Sequence, residues 1–342
     1  MTIIYFAGGE DIDFLIQGNT VINTGGTNYR TTFARCALNN SGTTTFDTIF
    51  NKKPFSVGSA AFWAAARLGQ SSPGGIINSE QFKLADVNRI TRIRMRLTSN
   101  TNAPQTFAVE KVTAAGVATN LFSGSFVYDT INPGTESTQF AWHVQYTTTG
   151  FCELYYKGVL LGSFTGDVTT DGITDLAYIG LGNNANGPRN FWSECMVTDF
   201  DPRACSLQTF APVANGNTHN FDTGTPAAAN VNEVTLNLAT LDGSTTAGQI
   251  DEYTTAAVAA GTFDVAAYGV SAFLSKGTSG PSKADLAVRT GGADFFSADQ
   301  VLNTFYDNFQ NWWTANPNTG VAWLTSQIGS TAGFNIGVKS VT

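Results

Sequence analysis

Paired carboxylates are the side chains with the clearest potential for chemistry in this chain. Two facing acids can act as proton donor and nucleophile on a glycosidic bond. The nearest such spacing places Glu194 ahead of Asp199 and Asp201. The two aspartates stand where a strand-like segment ends, a position that favours turn-forming carboxylates. The chain lacks the E-x-D-x-(x)-E pattern that sets three acids on one strand, so we predict no catalytic residues and a non-enzymatic protein.

Histidines and cysteines are too few and too scattered to predict a metal or cofactor site. His143 and His219 lie far apart, and no G-x-S-x-G nucleophile motif accompanies them. We interpret both as satisfied or exposed structural histidines. The four cysteines have no C-x-x-C spacing, and Cys152 and Cys195 fall within strand-like segments. Free buried thiols are therefore expected, with a single disulfide as the alternative, and we predict no cofactor.

Three arginines form a candidate docking patch. Arg92, Arg94 and Arg96 alternate with apolar residues in RITRIRMRL, which places three guanidinium groups on one face of a strand. Two interpretations stay open. The arginines either pair with acids on neighbouring strands and protect a sheet edge, or bind an acidic neighbouring subunit.

A loop rich in glycine and asparagine is a candidate glycan contact. Asn183, Asn184 and Asn186 lie in GLGNNANG, which lacks the third glycine and the βαβ context of a nucleotide loop. Loops of β-sandwiches commonly carry binding residues. Calcium is not expected here, because the loop offers no nearby acids.

A second candidate contact is the aromatic concentration near the C-terminus. It comprises Phe305, Tyr306, Phe309, Trp312, Trp313 and Trp323. We interpret most of these side chains as core, since a sandwich needs large residues between its sheets. An exposed tryptophan would instead indicate a sugar-stacking platform or an interface anchor.

The composition predicts a turn-dense all-β protein of two domains. Its 342 residues include 35 glycines, and charged residues make up 13%, against about a quarter in a typical domain. The net charge of −8 argues against nucleic acid as a partner, which requires a basic face. The N-terminal run MTIIYFAGGEDIDF has no basic flank, and no window is long and apolar enough to span a membrane. We therefore expect neither a signal peptide nor a membrane span.

Strand-like segments recur at short intervals and predict a sandwich. They are residues 59–68, 90–97, 107–112, 141–146, 152–161, 177–181 and 192–198. Within ELYYKGVLLG, Lys157-Gly158 predicts a hairpin turn, because glycine tolerates positive φ. In the last of these segments Met196 interrupts the strict alternation of apolar and polar residues.

The order CELYYKGVLLGSF, DLAYIGLGN, FWSECMV resembles the late strands of concanavalin-A-like and laminin-G-like jelly rolls. The resemblance implies such a jelly roll over residues 1–203, whose final strand pairs near the N-terminal one. Past Arg203 the chain becomes rich in Ala, Thr and Gly. We predict that residues 204–342 form a second β-sandwich, ending in a helix-like segment at 324–328 and a strand at 334–341.

The run joining the two domains resembles the S-E-V-(I/V)-V-A-D-x-D-T-R junction of structural proteins of tailed bacteriophages. The matching residues are Ser193, Glu194, Val197, Asp199, Asp201 and Arg203. Cys195 replaces the usual aliphatic residue, and Pro202 is inserted. The C-terminal segment resembles the second sandwich of the same proteins at Asn316-Pro317, Thr319, Gly320, Ala322 and Trp323.

This resemblance implies a structural protein on the surface of a phage virion or gene transfer agent. The expected role is attachment and display as a tail fibre, spike or minor tail component, with a capsid decoration or head-fibre protein as the alternative. The implied partners are other virion proteins, further copies of the chain in an oligomer, with a trimer favoured, and host surface glycan. A lectin or a depolymerase is the alternative from another class.

Overall fold

The chain divides into two compact units, Met1–Cys205 (unit 1) and Ser206–Thr342 (unit 2). The sequence placed the boundary between residues 203 and 204. The computed structural model describes residues 2–7, 14–16, 20–23, 36–39, 48–51, 53–70, 80–98, 104–127, 138–182, 190–205, 210–223, 228–232, 239–258, 264–329 and 333–342.

Unit 1 consists of strands joined by turns. They are β1 (Ile3–Ala7), β2 (Phe14–Ile16), β3 (Thr20–Asn23), β4 (Cys36–Asn39), β5 (Thr48–Asn51), β6 (Ala61–Gln70), β7 (Glu80–Ala85), β8 (Thr91–Leu97), β9 (Gln105–Val112), β10 (Ala118–Phe126), β11 (Thr138–Gln145), β12 (Gly150–Tyr156), β13 (Val159–Gly166), β14 (Tyr178–Gly182) and β15 (Asn190–Thr198). Each predicted segment overlaps one of them, except 152–161, which spans the turn between β12 and β13.

Two antiparallel sheets form the sandwich of unit 1. The first has the order β13-β12-β11-β6-β15-β4-β3, with β1 also paired to β15, and the second has the order β10-β9-β8-β7-β14-β5-β2. Their facing sides share one core, which includes Phe62, Trp142 and Leu154 of the first sheet and Phe82 and Phe107 of the second. Because alternate residues point to opposite sides of a strand, this core leaves a second face on each sheet. The arrangement confirms the predicted all-β jelly roll.

The last strand of unit 1 returns beside the first, as expected. Phe6 pairs with Met196 across β1 and β15. The register of β15 against β6 shifts between Ser193 and Met196. Past this β-bulge, Cys195 and Val197 point into the core. Met196 packs with Trp63 and Tyr155 on the other face, which explains why an apolar residue interrupts the alternation in the sequence.

The hairpin at Lys157-Gly158 is confirmed. Tyr156 pairs with Val159 across β12 and β13, which leaves a two-residue turn. Lys157 and Gly158 have φ values of 51° and 77°, the left-handed conformation that such a turn requires at both positions.

Unit 2 is a second β-sandwich, as predicted. Its elements are β16 (Pro212–His219), α1 (Ala228–Val231), β17 (Ile250–Thr255), β18 (Tyr268–Leu274), β19 (Lys283–Thr290), β20 (Ala293–Phe296), β21 (Gln300–Val301), β22 (Asp307–Trp313), a 3₁₀ helix (Thr325–Gln327) and β23 (Asn335–Val341). One sheet has the order β16-β17-β23-β19-β20 with β21 beside β19, and β18 pairs with β22 in a second sheet. The core between them includes Val270, Leu286 and Phe309. Within the described ranges, no helix is long and apolar enough to cross a membrane.

Candidate binding site on unit 1

A row of side chains crosses the face of the first sheet that points away from the core. Trp63 on β6 pairs with His143 on β11, His143 pairs with Glu153 on β12, and Glu153 pairs with Ser163 on β13. Residues directly opposite in an antiparallel ladder point to the same side. Four strands therefore place an indole, an imidazole, a carboxylate and a hydroxyl in one line, which we call the outer row.

Aromatic rings pack around the outer row. The ring of His143 stacks on Trp63, with centroids 4.2 Å apart and planes at 6°. Phe151 meets the same imidazole edge-on at 4.6 Å, and Tyr155 lies 5.4 Å from Trp63. Offset and edge-on contacts of this kind stabilise ring pairs beyond simple burial, so this cluster is a rigid platform.

Glu153 is the polar centre of this platform. Its Oε2 lies 2.9 Å from Nδ1 of His143 and accepts a hydrogen bond of 2.7 Å from the Tyr155 hydroxyl. The side chains of His143 and Glu153 are 26% and 27% exposed, so solvent reaches both. Burial, followed by the contact with Glu153, raises the pKa of Tyr155 to about 12. The tyrosine therefore keeps its proton at neutral pH and serves as a donor.

The segment that leaves β15 folds back over one side of the platform. The Arg203 guanidinium lies 4.1 Å from the ring centroid of Tyr155 and 4.9 Å from that of Trp63, within cation–π range. Two of its nitrogens bind the carboxylate of Asp201, and a third donates to the Gly158 carbonyl at 3.2 Å. The pKa of Asp201 is lowered by these hydrogen bonds from Arg203. Arg203 thus holds this segment against the outer face of the first sheet.

The open part of the platform combines ring edges with hydrogen-bonding groups. Glu153 supplies an acceptor and His143 an imidazole nitrogen, and Ser163 and Thr165 are exposed beside them. Binding sites for polar organic ligands pair a few converging polar groups with apolar or aromatic surface. The chemistry of the platform therefore fits recognition of a hydroxyl-rich ligand.

The predicted arginine patch is an ion-pair network on the second sheet. Arg94 binds Glu80 and Glu110, and Arg96 binds Glu110. Arg92 is only 2% exposed and is held by Asp86 at 2.7 Å and by Asp171. The geometry agrees with cross-strand pairing and leaves Arg92 inaccessible to a partner. A docking role for Arg94 and Arg96 stays a prediction.

Asp199, one of the acids considered for catalysis, has a structural contact. Asp199 accepts a hydrogen bond from the backbone nitrogen of Thr2, so it fastens β15 to the N-terminal segment. The side chain of Glu194, and Asn183, Asn184 and Asn186 with their loop, lie outside the described residues.

The structure also describes cysteines, the second histidine and several aromatic residues that the sequence analysis singled out. Cys152 is a free buried thiol and Cys205 a free half-buried one, whereas His219 lies in unit 2 beside Asp251. In the aromatic cluster, Phe309 and Trp323 are buried and Phe305 is exposed. In the described parts of the chain, no three His, Cys, Asp or Glu side chains are grouped to hold a metal ion.

Sequence reasoning missed Trp63, Glu153 and Tyr155 as members of a site. The local patterns AFWAAAR and CELYY carried a signal, because large or polar residues stand at the positions that alternate with core residues. The register that brings Trp63 and Glu153 beside His143 is not encoded locally.

No family model matches the chain, and no curated protein matches it. Solved structures do show similarity. An endo-β-1,4-glucuronan lyase from the fungus Trichoderma reesei is 9% identical with a TM-score of 0.42, and the match covers 58% of this chain and 95% of that one. The carbohydrate recognition domain of Emp47p is 7% identical with a TM-score of 0.40, covering 54% and 88%.

The exoplasmic/lumenal domain of VIP36, in a Ca²⁺- and mannose-bound form, is 9% identical with a TM-score of 0.40, and the match covers 55% of this chain and 83% of that one. These three similarities are too distant to carry an argument about ligand or activity. The strand arrangement itself defines an all-β protein, an antiparallel jelly-roll sandwich followed by a second β-sandwich.

Proposed function

We propose that this chain is a non-enzymatic attachment and display protein on the surface of a tailed phage or phage-like particle, and that unit 1 binds host surface glycan through the outer row. A fibre, spike or minor tail component is preferred over a capsid decoration or head-fibre protein. A trimer is the favoured oligomer within this proposal.

The observation that carries the glycan proposal is the platform itself. Sugars present apolar C–H faces and many hydroxyls, so they bind where aromatic rings adjoin mixed donors and acceptors. Phe151 and His143 supply the rings, while Glu153 and Ser163 supply polar contacts. The phage assignment has separate support, the resemblance of the junction that ends at Arg203.

A glycan array probed with the full chain tests the binding proposal. We expect binding that Glu153→Gln weakens about tenfold, since a hydrogen bond to a charged group contributes about 1.5–3 kcal/mol. Asp167→Asn is the matched control, because it makes the same charge change at an exposed acid bound to Lys111. Equal loss in both variants, or no binding to any glycan, would reject the outer row as the site.

Electron cryo-microscopy of particles purified from the source lysate tests the virion proposal. Density for the chain at a tail tip, spike or capsid surface would give its location and copy number. Absence from intact particles would contradict this part alone.

One specific observation favours a second candidate, a depolymerase. A carboxylate that contacts a histidine, as Glu153 contacts His143, is a common setting for proton transfer. Release of new sugar ends from host polysaccharide, abolished by His143→Gln, would replace the non-enzymatic proposal.

A further inference from the structure

Edge strand β16 of unit 2 is paired to β17 through an interrupted ladder. Asn215 pairs with Tyr253, and the next pair is His219 with Asp251. The register shift between these pairs displaces residues 216–218 from regular pairing, as in a β-bulge. After His219 the backbone nitrogen of Asn220 donates to the Ile250 carbonyl at 2.9 Å, so regular backbone pairing is missing at residues 216–218 in between.

Two buried carboxylates of β17 provide the missing attachment. Asp251 and Glu252 are each 1% exposed. The backbone nitrogen of Thr218 donates to Oε2 of Glu252 at 2.8 Å, and Nδ1 of His219 lies 2.5 Å from Oδ1 of Asp251. Gly216 permits this approach, because a Cβ there would lie 2.8 Å from the Cβ of Glu252. The attachment thus depends on side chains whose charge changes with pH.

The contacts around Asp251 require one proton more than the hydroxyl of Tyr253 supplies. The Tyr253 hydroxyl lies 2.6 Å from Oδ2 of Asp242 and is also hydrogen-bonded to Oδ2 of Asp251. Asn230 of α1 donates to the other oxygen of Asp242 at 2.9 Å. One hydroxyl proton serves one carboxylate, so the second contact forms only when a carboxyl group carries its own proton.

That proton belongs on Asp251. Burial raises the pKa of Asp251, and the charge of Asp242 raises it further. Hydrogen bonds from Tyr253 and from the Phe221 backbone, and the charge of His219, oppose this rise without reversing it. From β23 the facing residue is the apolar Val338. The protonated carboxyl then donates to Tyr253, and the tyrosine donates to Asp242.

Glu252 has a comparable environment on the other side of the sheet. Burial raises its pKa, and so does Asp294 of β20, with which it is in hydrogen-bond contact, while the hydrogen bonds from Thr218 oppose the rise without reversing it. Arg289 of β19 binds Asp294, and β23 presents only Gly337 opposite Glu252. Arg289 therefore neutralises Asp294 and not Glu252. The contact between Glu252 and Asp294 is most stable when the two carboxyl groups share one proton.

We propose that Asp251 and Glu252 form a proton-dependent latch, which holds β16 on unit 2 in acidic solution and releases it as the pH rises. Loss of the protons leaves two carboxylates on one hydroxyl and a second carboxylate pair at Asp294. The unfolded chain releases these protons near the ordinary carboxyl pKa of about 4, so the stabilisation is complete below that value and is lost as pH rises through the raised folded pKa. Release would uncover the edge of β17, an edge able to pair with another strand.

Amide hydrogen exchange of the full chain, read by mass spectrometry on peptides within residues 210–220, tests the latch. After correction for intrinsic rates, we expect protection to fall about tenfold or more as the pH rises from about 4, the ordinary carboxyl value, to about 8, since one pKa unit corresponds to a factor of ten. Asp251→Asn cannot release a proton there and should flatten this dependence. Asp264→Asn, the same charge change at an exposed acid of unit 2, should leave it intact.

Equal protection of β16 at both pH values would overturn the proposal, and so would an unchanged pH dependence in Asp251→Asn. Should Asp251→Asn fail to fold, Glu252→Gln applies the same test at the second contact, where an amide still accepts from Thr218. Peptides from β6 and β11 in unit 1 report whether any change extends beyond unit 2.

Discussion

Units 1 and 2 bury acidic side chains by opposite means. Residues 1–205 contain sixteen Asp and Glu against fourteen Lys and Arg, and residues 206–342 contain ten against four. In unit 1, Glu110 lies between Arg94 and Arg96. In unit 2, Asp285 is in hydrogen-bond contact with another acid, Asp299. A unit with nearly as many bases as acids buries acids as ion pairs, whereas a unit short of bases buries them beside other acids, which raises the pKa of the buried acid.

The two means give opposite responses to pH. Burial opposes ionisation of Glu110, but hydrogen bonds from Arg96 and Arg94 lower its pKa. A lowered pKa contributes stability above the ordinary value of about 4.3, which is lost as pH falls through the folded pKa. Burial and Asp299 raise the pKa of Asp285, so its contribution is complete below about 3.9 and is lost as pH rises.

The largest expected effect comes from removing a buried base in unit 1. Arg92→Ala leaves Asp86, which is 1% exposed, as an uncompensated buried carboxylate. Breaking such a pair costs about 3–5 kcal/mol, measured as the free energy of unfolding of unit 1 by calorimetry of the full chain. Lys111→Ala removes a more exposed pair with Asp167 and should cost less than about 1 kcal/mol. Equal losses would show that burial of the pair is irrelevant.

The corresponding change in unit 2 removes a donor shared by two acids. Tyr253→Phe leaves Asp242 and Asp251 facing each other without the hydroxyl. We expect a loss of about 1–3 kcal/mol in the free energy of unfolding of unit 2, the cost of unsatisfied buried polar groups. Tyr306→Phe, at a half-buried tyrosine, is the control. A loss no greater than that of the control would mean that the tyrosine does not bridge the acids.

Local features of the fold were readable from the sequence, while the sites were not. The hairpin at Lys157-Gly158 depends on two adjacent residues and their φ preferences, so it was predicted correctly. The contact of His143 with Trp63, and that of His219 with Asp251, depend on strand register. Register is fixed by packing over the whole sheet, which short patterns do not contain.

The arginine patch on β8 likewise depends on strand register, which the sequence pattern does not contain. Alternation correctly indicated a strand with Arg92, Arg94 and Arg96 on it. It left open whether acids faced them, because Glu80 and Glu110 come from neighbouring strands. Solvent exposure, which separates a docking patch from an internal network, therefore could not be derived from spacing.

A smaller effect is expected when one carboxylate in each unit is replaced by an amide, and the pair of substitutions compares the two units directly. At about pH 8, Glu110→Gln should destabilise unit 1 because two arginines lose their carboxylate, at a cost of about 1–3 kcal/mol. Asp285→Asn should stabilise unit 2 by up to about 1 kcal/mol, since it removes a like-charge contact. Urea unfolding at about pH 8 and about pH 5 measures both effects. Linkage requires the Asp285→Asn effect to shrink as the pH falls toward the raised pKa of Asp285, and the Glu110→Gln effect to persist at about pH 5, because the pKa of Glu110 is lowered. Shifts of the same sign in both units would break the comparison.

The smallest expected effect is on the pKa of Tyr155 in the platform of unit 1. There Glu153 raises the pKa of its neighbour, as buried acids in unit 2 are affected by the acids beside them. Burial and Glu153 together raise the pKa of Tyr155 to about 12. Glu153→Gln removes the charge but leaves the burial, so the pKa should fall part of the way toward the ordinary value of about 10. Carbon-13 NMR of labelled tyrosine measures it, with Asp167→Asn as the control. An unchanged pKa would assign the shift to burial alone and leave Glu153 free to bind a ligand without involving the tyrosine.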